Sequence, residues 1–130
     1  MAKFRILIIE DDTEVRDLLS ILLSRAGYEI SVASDGIEGI HAYRTDPADL
    51  IITDLVMPGK EGLETIVDLR REFPDLKIIA ISGGGLDGQS NYLNAARLCG
   101  ATMTFRKPFK NQEIVDAVDG LLTKKNSSES

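Results

Sequence analysis

Acidic, hydroxyl and ammonium side chains stand just after short apolar runs along this chain: Glu10 and Asp11 follow Ile6 to Ile9, Asp54 follows Leu50 to Thr53, Ser82 follows Ile78 to Ile81, and Lys107 comes soon after Thr102 to Phe105. Gathered at one rim, they form a chemical set. Carboxylates held close together repel by roughly 4 kcal/mol per pair at an effective dielectric near 20. A divalent cation removes that strain, and Mg²⁺ suits it, since it takes oxygen ligands and is commonly held by one or two protein carboxylates plus a phosphate. A carboxylate such as Asp54 can attack a phosphoryl group and form an acyl phosphate, provided metal and positive charge stabilise the equatorial oxygens. Lys107 offers a mobile point charge for that phosphate, while the Ser82 hydroxyl and a nearby backbone N–H, that of Gly83, can donate hydrogen bonds. Asp12, next to a helix start, reads as a cap for exposed backbone N–H groups.

The elements that must position these groups are legible in the apolar pattern. Five runs rich in Ile, Val and Leu recur: 6–9, 30–33, 50–53, 78–81 and 102–105. Several are continuous rather than alternating, as strands buried on both faces of a parallel sheet are. Helical periods fill the gaps. Val15, Leu18, Leu19, Leu22 and Ala26 make one stripe, closed by Gly27 where a left-handed cap is favoured. Gly36 to Arg44 is a short second helix with Ile37 and Ile40, and Leu63, Ile66 and Val67 mark a third, limited by Pro74. The fourth, about Gln89 to Cys99, is the least apolar. Ile114, Val115, Val118, Leu121 and Leu122 line the fifth. Five strand–helix alternations predict an α/β fold with helices on both faces of a five-stranded parallel sheet, whose sites lie beyond the carboxyl ends of the strands. One domain over residues 1–123 and a disordered tail over 124–130 are expected.

Composition narrows the function. The 130 residues are 43% apolar and 28% charged, which suits one globular domain. A net charge of −6 with only 5% aromatic residues argues against direct nucleic-acid binding and against an anionic membrane surface. The single Cys99 permits no internal disulfide. The run Ile6 to Ile9 is too short for a secretory signal, and no stretch approaches the roughly 20 apolar residues that cross a bilayer, so a cytoplasmic protein is expected.

Four segments in order, Ile-Glu-Asp-Asp from Ile9, Thr-Asp-Leu-Val-Met-Pro-Gly from Thr53, Ile-Ser-Gly from Ile81 and Arg-Lys-Pro-Phe from Arg106, closely resemble those of response regulator receiver domains of bacterial two-component systems. The likeness spans about residues 4 to 122. It implies a three-layer, flavodoxin-like (βα)5 fold with strand order 2-1-3-4-5, the order found in chemotaxis regulators of this family. It also implies that Asp54 is the phosphoacceptor, that Asp11 and Asp54 ligate Mg²⁺ directly with the backbone carbonyl of Val56, and that Glu10 does so through water. Ser82, Gly83 and Lys107 would hold the phosphate, and Lys107 would join Pro108 by a cis peptide. A sensor histidine kinase or histidine phosphotransfer protein would donate the phosphoryl group, and an unknown downstream protein would read the altered surface, with a phosphorylation-dependent dimer also open. The chain would act as a switch, not an enzyme, catalysing only its own phosphorylation and autodephosphorylation.

One position departs from the commonest pattern. Three residues before Lys107, where many relatives carry Tyr or Phe, stands Thr104, so the usual aromatic readout of the switch is missing. Phe105 should face the other side of the sheet, because side chains alternate along a strand. Two further readings stay open: a pseudo-receiver acting as a constitutive protein-binding module, and an aspartyl-phosphate Mg²⁺ phosphatase. Such phosphatases place a second Asp two residues after the nucleophile, where this chain has Val56. The glycines Gly83, Gly85 and Gly88 echo a dinucleotide loop, but they follow the fourth strand and no acid stands about 20 residues on. His41 reads as a surface residue, and Cys99 and Met57 as packing residues. The cognate kinase, the output pathway, and whether this is a stand-alone regulator, a relay intermediate or part of a longer one are not legible.

Overall fold

The computed structural model describes residues 3–55, 62–82 and 89–127. Strands and helices alternate: β1 (Arg5–Ile9), α1 (Thr13–Arg25), β2 (Glu29–Ala33), α2 (Gly36–Thr45), β3 (Leu50–Asp54), α3 (Gly62–Glu72), β4 (Lys77–Ser82), α4 (Gln89–Cys99), β5 (Met103–Arg106) and α5 (Asn111–Ser127). All four strand pairings are parallel, in the order β2-β1-β3-β4-β5. This is the flavodoxin-like (βα)5 arrangement. The chain reverses direction across the sheet between β1 and β3, so a crevice opens there at the carboxyl ends of the strands.

Burial explains the continuous apolar runs. Alternate residues of one strand supply two separate cores. Leu7, Ile9, Ile51, Ile78 and Ala80 pack against Ile40 and Tyr43 of α2, Ile66 and Leu69 of α3, and Ala96 of α4. On the opposite face Ile6, Ile8, Leu50, Ile52, Ile79 and Ile81 meet Leu19 and Leu23 of α1 and Ile114, Ala117, Val118 and Leu122 of α5. Removing each such aliphatic side chain from water contributes roughly 1.5–3 kcal/mol, and this burial is the main term that opposes the chain entropy lost on folding.

Local sequence sets the helix ends. The Asp12 carboxylate accepts from Glu14 N at 2.9 Å and from Val15 N at 3.4 Å, capping α1, and Asp35 accepts from Glu38 N at 2.8 Å, capping α2. Gly27 follows the α1 C-cap with φ of 101°, a left-handed conformation that disfavours any side chain. The α1 stripe is rotated from the one expected. Leu19 and Leu23 are buried, whereas Leu18 is 42% exposed and Ala26 is exposed. An uninterrupted Leu18-Leu19 and Leu22-Leu23 pattern admits two registers, and packing onto β1 and β2 selects one. At the other end α5 runs to Ser127. Among the described residues, no helix is long and apolar enough to cross a membrane.

Candidate functional site

The rim begins at the end of β1. Glu10 continues the β1–β2 ladder by donating its N–H to the Ala33 carbonyl at 3.0 Å. Its side chain is only 2% exposed, and both carboxylate oxygens are engaged: Oε2 accepts from Asp12 N at 3.2 Å and Oε1 from Lys107 Nζ at 3.1 Å. Burying a carboxylate is costly unless it is hydrogen-bonded and charge-paired, and Glu10 is both. Asp11, next along, is exposed.

Asp54 closes β3, a central strand flanked by β1 and β4, and is 5% exposed. Its backbone is fixed on two sides. The Thr53 hydroxyl donates to the Asp54 carbonyl at 3.1 Å, and Leu55 N, just beyond, donates to Ile81 O at 2.9 Å. Gly62, the first residue of α3, donates to Leu55 O at 3.1 Å. A Cβ built on Gly62 would stand 2.4 Å from both Asp54 O and Leu55 Cα, so only glycine lets α3 start this close to the end of β3.

These elements bring carboxylate oxygens of Glu10, Asp11 and Asp54 within 4.8 Å of one another. Lys107 Nζ lies 3.7 Å from Asp54 Oδ1. Three carboxylates against one ammonium leave two negative charges in a small volume. Two of the acids are buried and Asp11 faces solvent, an open, all-oxygen donor set that fits a partly hydrated divalent cation. At 4.8 Å each carboxylate pair repels by about 3.5 kcal/mol at a dielectric near 20, so such a cation would relieve the strain.

Lys107 is delivered by β5. Its N–H donates to the Ser82 carbonyl at 2.8 Å, extending the β4–β5 ladder, and the peptide joining it to Pro108 is cis. Ser82, at the end of β4, is fully buried. Thr104 pairs in register with Ala80, which pairs in turn with Thr53, so it lies on the α3–α4 face of the sheet. Phe105 packs on the α1–α5 face, away from Thr104. Beside Lys107 an open, mostly apolar groove of about 350 Å³ is lined by Val15, Leu18, Pro108 and Phe109. Val56, Gly83 and the remainder of the Gly83–Gly88 segment lie outside the described residues, as does Met57.

Arg16 and Gly62 belong to the site although the sequence pattern does not single them out. Arg16 Nη1 donates to the Glu10 carbonyl and to the Ser34 hydroxyl, each at 3.2 Å. An arginine one turn into a helix carries no distinguishing pattern. Gly62, by contrast, does leave a signal, since a glycine opening a helix beside a strand end often marks close backbone approach.

Comparison with known proteins agrees with this arrangement. The family model described as the response regulator receiver domain matches residues 6–119. The transcriptional regulatory protein YrkP of Bacillus subtilis is 34% identical over 85% of this chain and 46% of its own length. Response regulator MprA of Mycobacterium avium is 34% identical over 91% of this chain and 50% of its own. The chain thus spans about half the length of these curated relatives. Among solved structures, a putative response regulator from Chloroflexus aurantiacus superimposes with a TM-score of 0.86 at 28% identity, covering 94% of this chain and 99% of that one. Response regulator TrrA of Thermotoga maritima, solved in complex with Mg²⁺-BeF, gives a TM-score of 0.82 at 33% identity, covering 93% of this chain and all of its own.

Proposed function

This chain belongs to the response regulator receiver family of two-component signal transduction, and on that premise we propose that it takes a phosphoryl group onto Asp54, with Mg²⁺, from a histidine kinase or histidine phosphotransfer protein. The observation that carries the reading is the meeting of the Glu10, Asp11 and Asp54 carboxylates within 4.8 Å beside the Lys107 ammonium. The Mg²⁺-BeF complex of TrrA, a relative at 33% identity, supports it.

In this reading one Asp54 carboxylate oxygen attacks phosphorus. The O–P bond forms as the donor's P–N bond breaks, and the electron pair returns to the imidazole nitrogen, which takes up a proton. Asp11 and Asp54 would hold the cation, with the Val56 carbonyl as a further ligand and Glu10 acting through water. Bound there, Mg²⁺ would supply positive charge to the phosphoryl oxygens. Lys107, already within reach of Asp54, moves its ammonium from carboxylate to phosphate. Ser82 and the Gly83 N–H donate to the remaining oxygens. The reverse, water-driven cleavage of the acyl phosphate limits the signal, and the chain modifies no substrate but itself. The apolar groove of Val15, Leu18 and Phe109 opens next to Lys107 and offers a phosphodonor surface to pack against. A downstream protein, or a second phosphorylated copy, then binds the altered face, and the whole takes place in the cytoplasm.

Incubation with acetyl phosphate and Mg²⁺, followed by intact-mass measurement, tests the proposal. Wild type should gain one phosphoryl group that chelation of Mg²⁺ prevents. Asp54→Asn should gain none. An unmodified wild type, or equal labelling of the variant, sinks the reading.

A further inference from the structure

Glu10 is held at four points. Its N–H binds Ala33 O, its two carboxylate oxygens accept from Asp12 N and Lys107 Nζ, and its carbonyl accepts from Arg16 Nη1. Three of these contacts keep the loop against β2, against itself and against the end of β5. The fourth alone reaches out of the loop to the start of α2, because the same Arg16 nitrogen also donates to Ser34 Oγ at 3.2 Å. Ser34 is a firm anchor. Its own N–H donates to Glu38 Oε1 at 2.9 Å, while Glu38 N donates to the capping carboxylate of Asp35 at 2.8 Å.

We propose that Arg16 is a positioning residue for the cation site: by tying the Glu10 carbonyl to Ser34 it fixes where the Glu10 and Asp11 carboxylates stand relative to Asp54, and so sets the affinity for a divalent cation. The inference rests on the function proposed above. Arg16 is half-buried and lies one turn into α1, with its backbone N–H donating to Asp12 O at 2.9 Å. Its guanidinium therefore crosses back over the first turn to the loop it steadies. The positive charge of Arg16 by itself would oppose cation binding, so any gain must come from geometry. Groups that orient metal ligands from outside the coordination shell commonly act in this way.

Titration of the full chain with Mg²⁺ alone, followed through its backbone amide NMR signals, separates the two effects. Arg16→Lys keeps the charge on a shorter stem, which does not carry its nitrogen to the place that Nη1 holds between the two acceptors. It should weaken Mg²⁺ binding about tenfold, and the loss should persist at high salt, where charge effects fade. Ser34→Ala, which removes one anchor with no change of charge, should give a smaller loss in the same direction. Leu23→Ala, a core change elsewhere in α1, should leave Mg²⁺ affinity unchanged. Wild-type affinity in both Arg16→Lys and Ser34→Ala overturns the inference while leaving the proposed function intact, and an equal loss in Leu23→Ala overturns it as a mere stability effect. A wild type that binds no Mg²⁺ overturns both.

Discussion

Lys107 stands closer to Glu10 than to Asp54: Nζ is 3.1 Å from Glu10 Oε1 and 3.7 Å from Asp54 Oδ1. The ammonium thus balances a buried acid pair. Lys107→Met takes that positive charge away from Glu10 and Asp54. We expect a loss of about 2 kcal/mol in urea unfolding without Mg²⁺, since breaking a mostly buried charge pair strands its partner. Saturating Mg²⁺ should recover much of it by binding only the folded state. Equal loss with and without the cation would show that Lys107 and the metal do not share the same charge.

The two leucines at the centre of α1 make a direct comparison. Leu19 is 1% exposed and Leu18 42%. Leu19→Ala should cost about 3 kcal/mol, a typical figure for a cavity in a packed core, whereas Leu18→Ala should cost less than about 1 kcal/mol. Denaturant midpoints decide it, and a reversed ranking would place the helix in the other register.

Glycines offer a pair with opposite signs. At Gly62 a methyl would meet the backbone of Asp54 and Leu55 at 2.4 Å, and a strand backbone cannot step aside. Gly62→Ala should destabilise by about 2 kcal/mol or more and slow labelling of Asp54. At Gly120, within α5, a methyl meets nothing within 4 Å. There Ala should stabilise by about 0.5–1 kcal/mol, because it loses less backbone freedom on folding. Thermal midpoints that move in the same direction would count against this assignment.

Tyr28 gives a signature at alkaline pH. Burial raises its pKa above the ordinary value of 10.0, reinforced by the hydrogen bond its hydroxyl donates to Asp119. An unfolded chain ionises first, so the folded state holds the extra proton and stability falls as pH rises above about 10. Tyr28→Phe should remove that part of the slope. At the acid end the signs reverse. Arg5 holds Asp46 low and Arg44 holds Glu72 low, chiefly by hydrogen bonding, so these exposed pairs stabilise above the usual carboxylate range and lose their effect as pH falls below it. Stability curves against pH for Tyr28→Phe and for Arg44→Gln measure both.

Much of this was legible in the residues. Continuous Ile and Leu runs marked β1, β3 and β4 to within a residue at each end, because a strand buried on both faces tolerates little else. Glu10, Asp11, Asp54 and Lys107 could be grouped because strand ends in such a sheet share a rim. What escaped was set by three-dimensional approach. Leu18 and Leu19 are chemically equal, and only the packing of α1 tells them apart. Arg16 works through a backbone carbonyl and through Ser34, 18 positions on, and a carbonyl is present at every residue, so nothing in the string marks it.

β5 is one of the two edge strands, bonded on one flank only, and the residue that follows it carries the ammonium of the site. A pull on Lys107 therefore acts on an edge of the sheet, where displacement breaks one row of backbone bonds instead of two. Motion started by an arriving anion would travel outward along this margin, past Thr104, whose small side chain opposes it with little bulk. The interior strands would stay still, and the message would leave the molecule at its border.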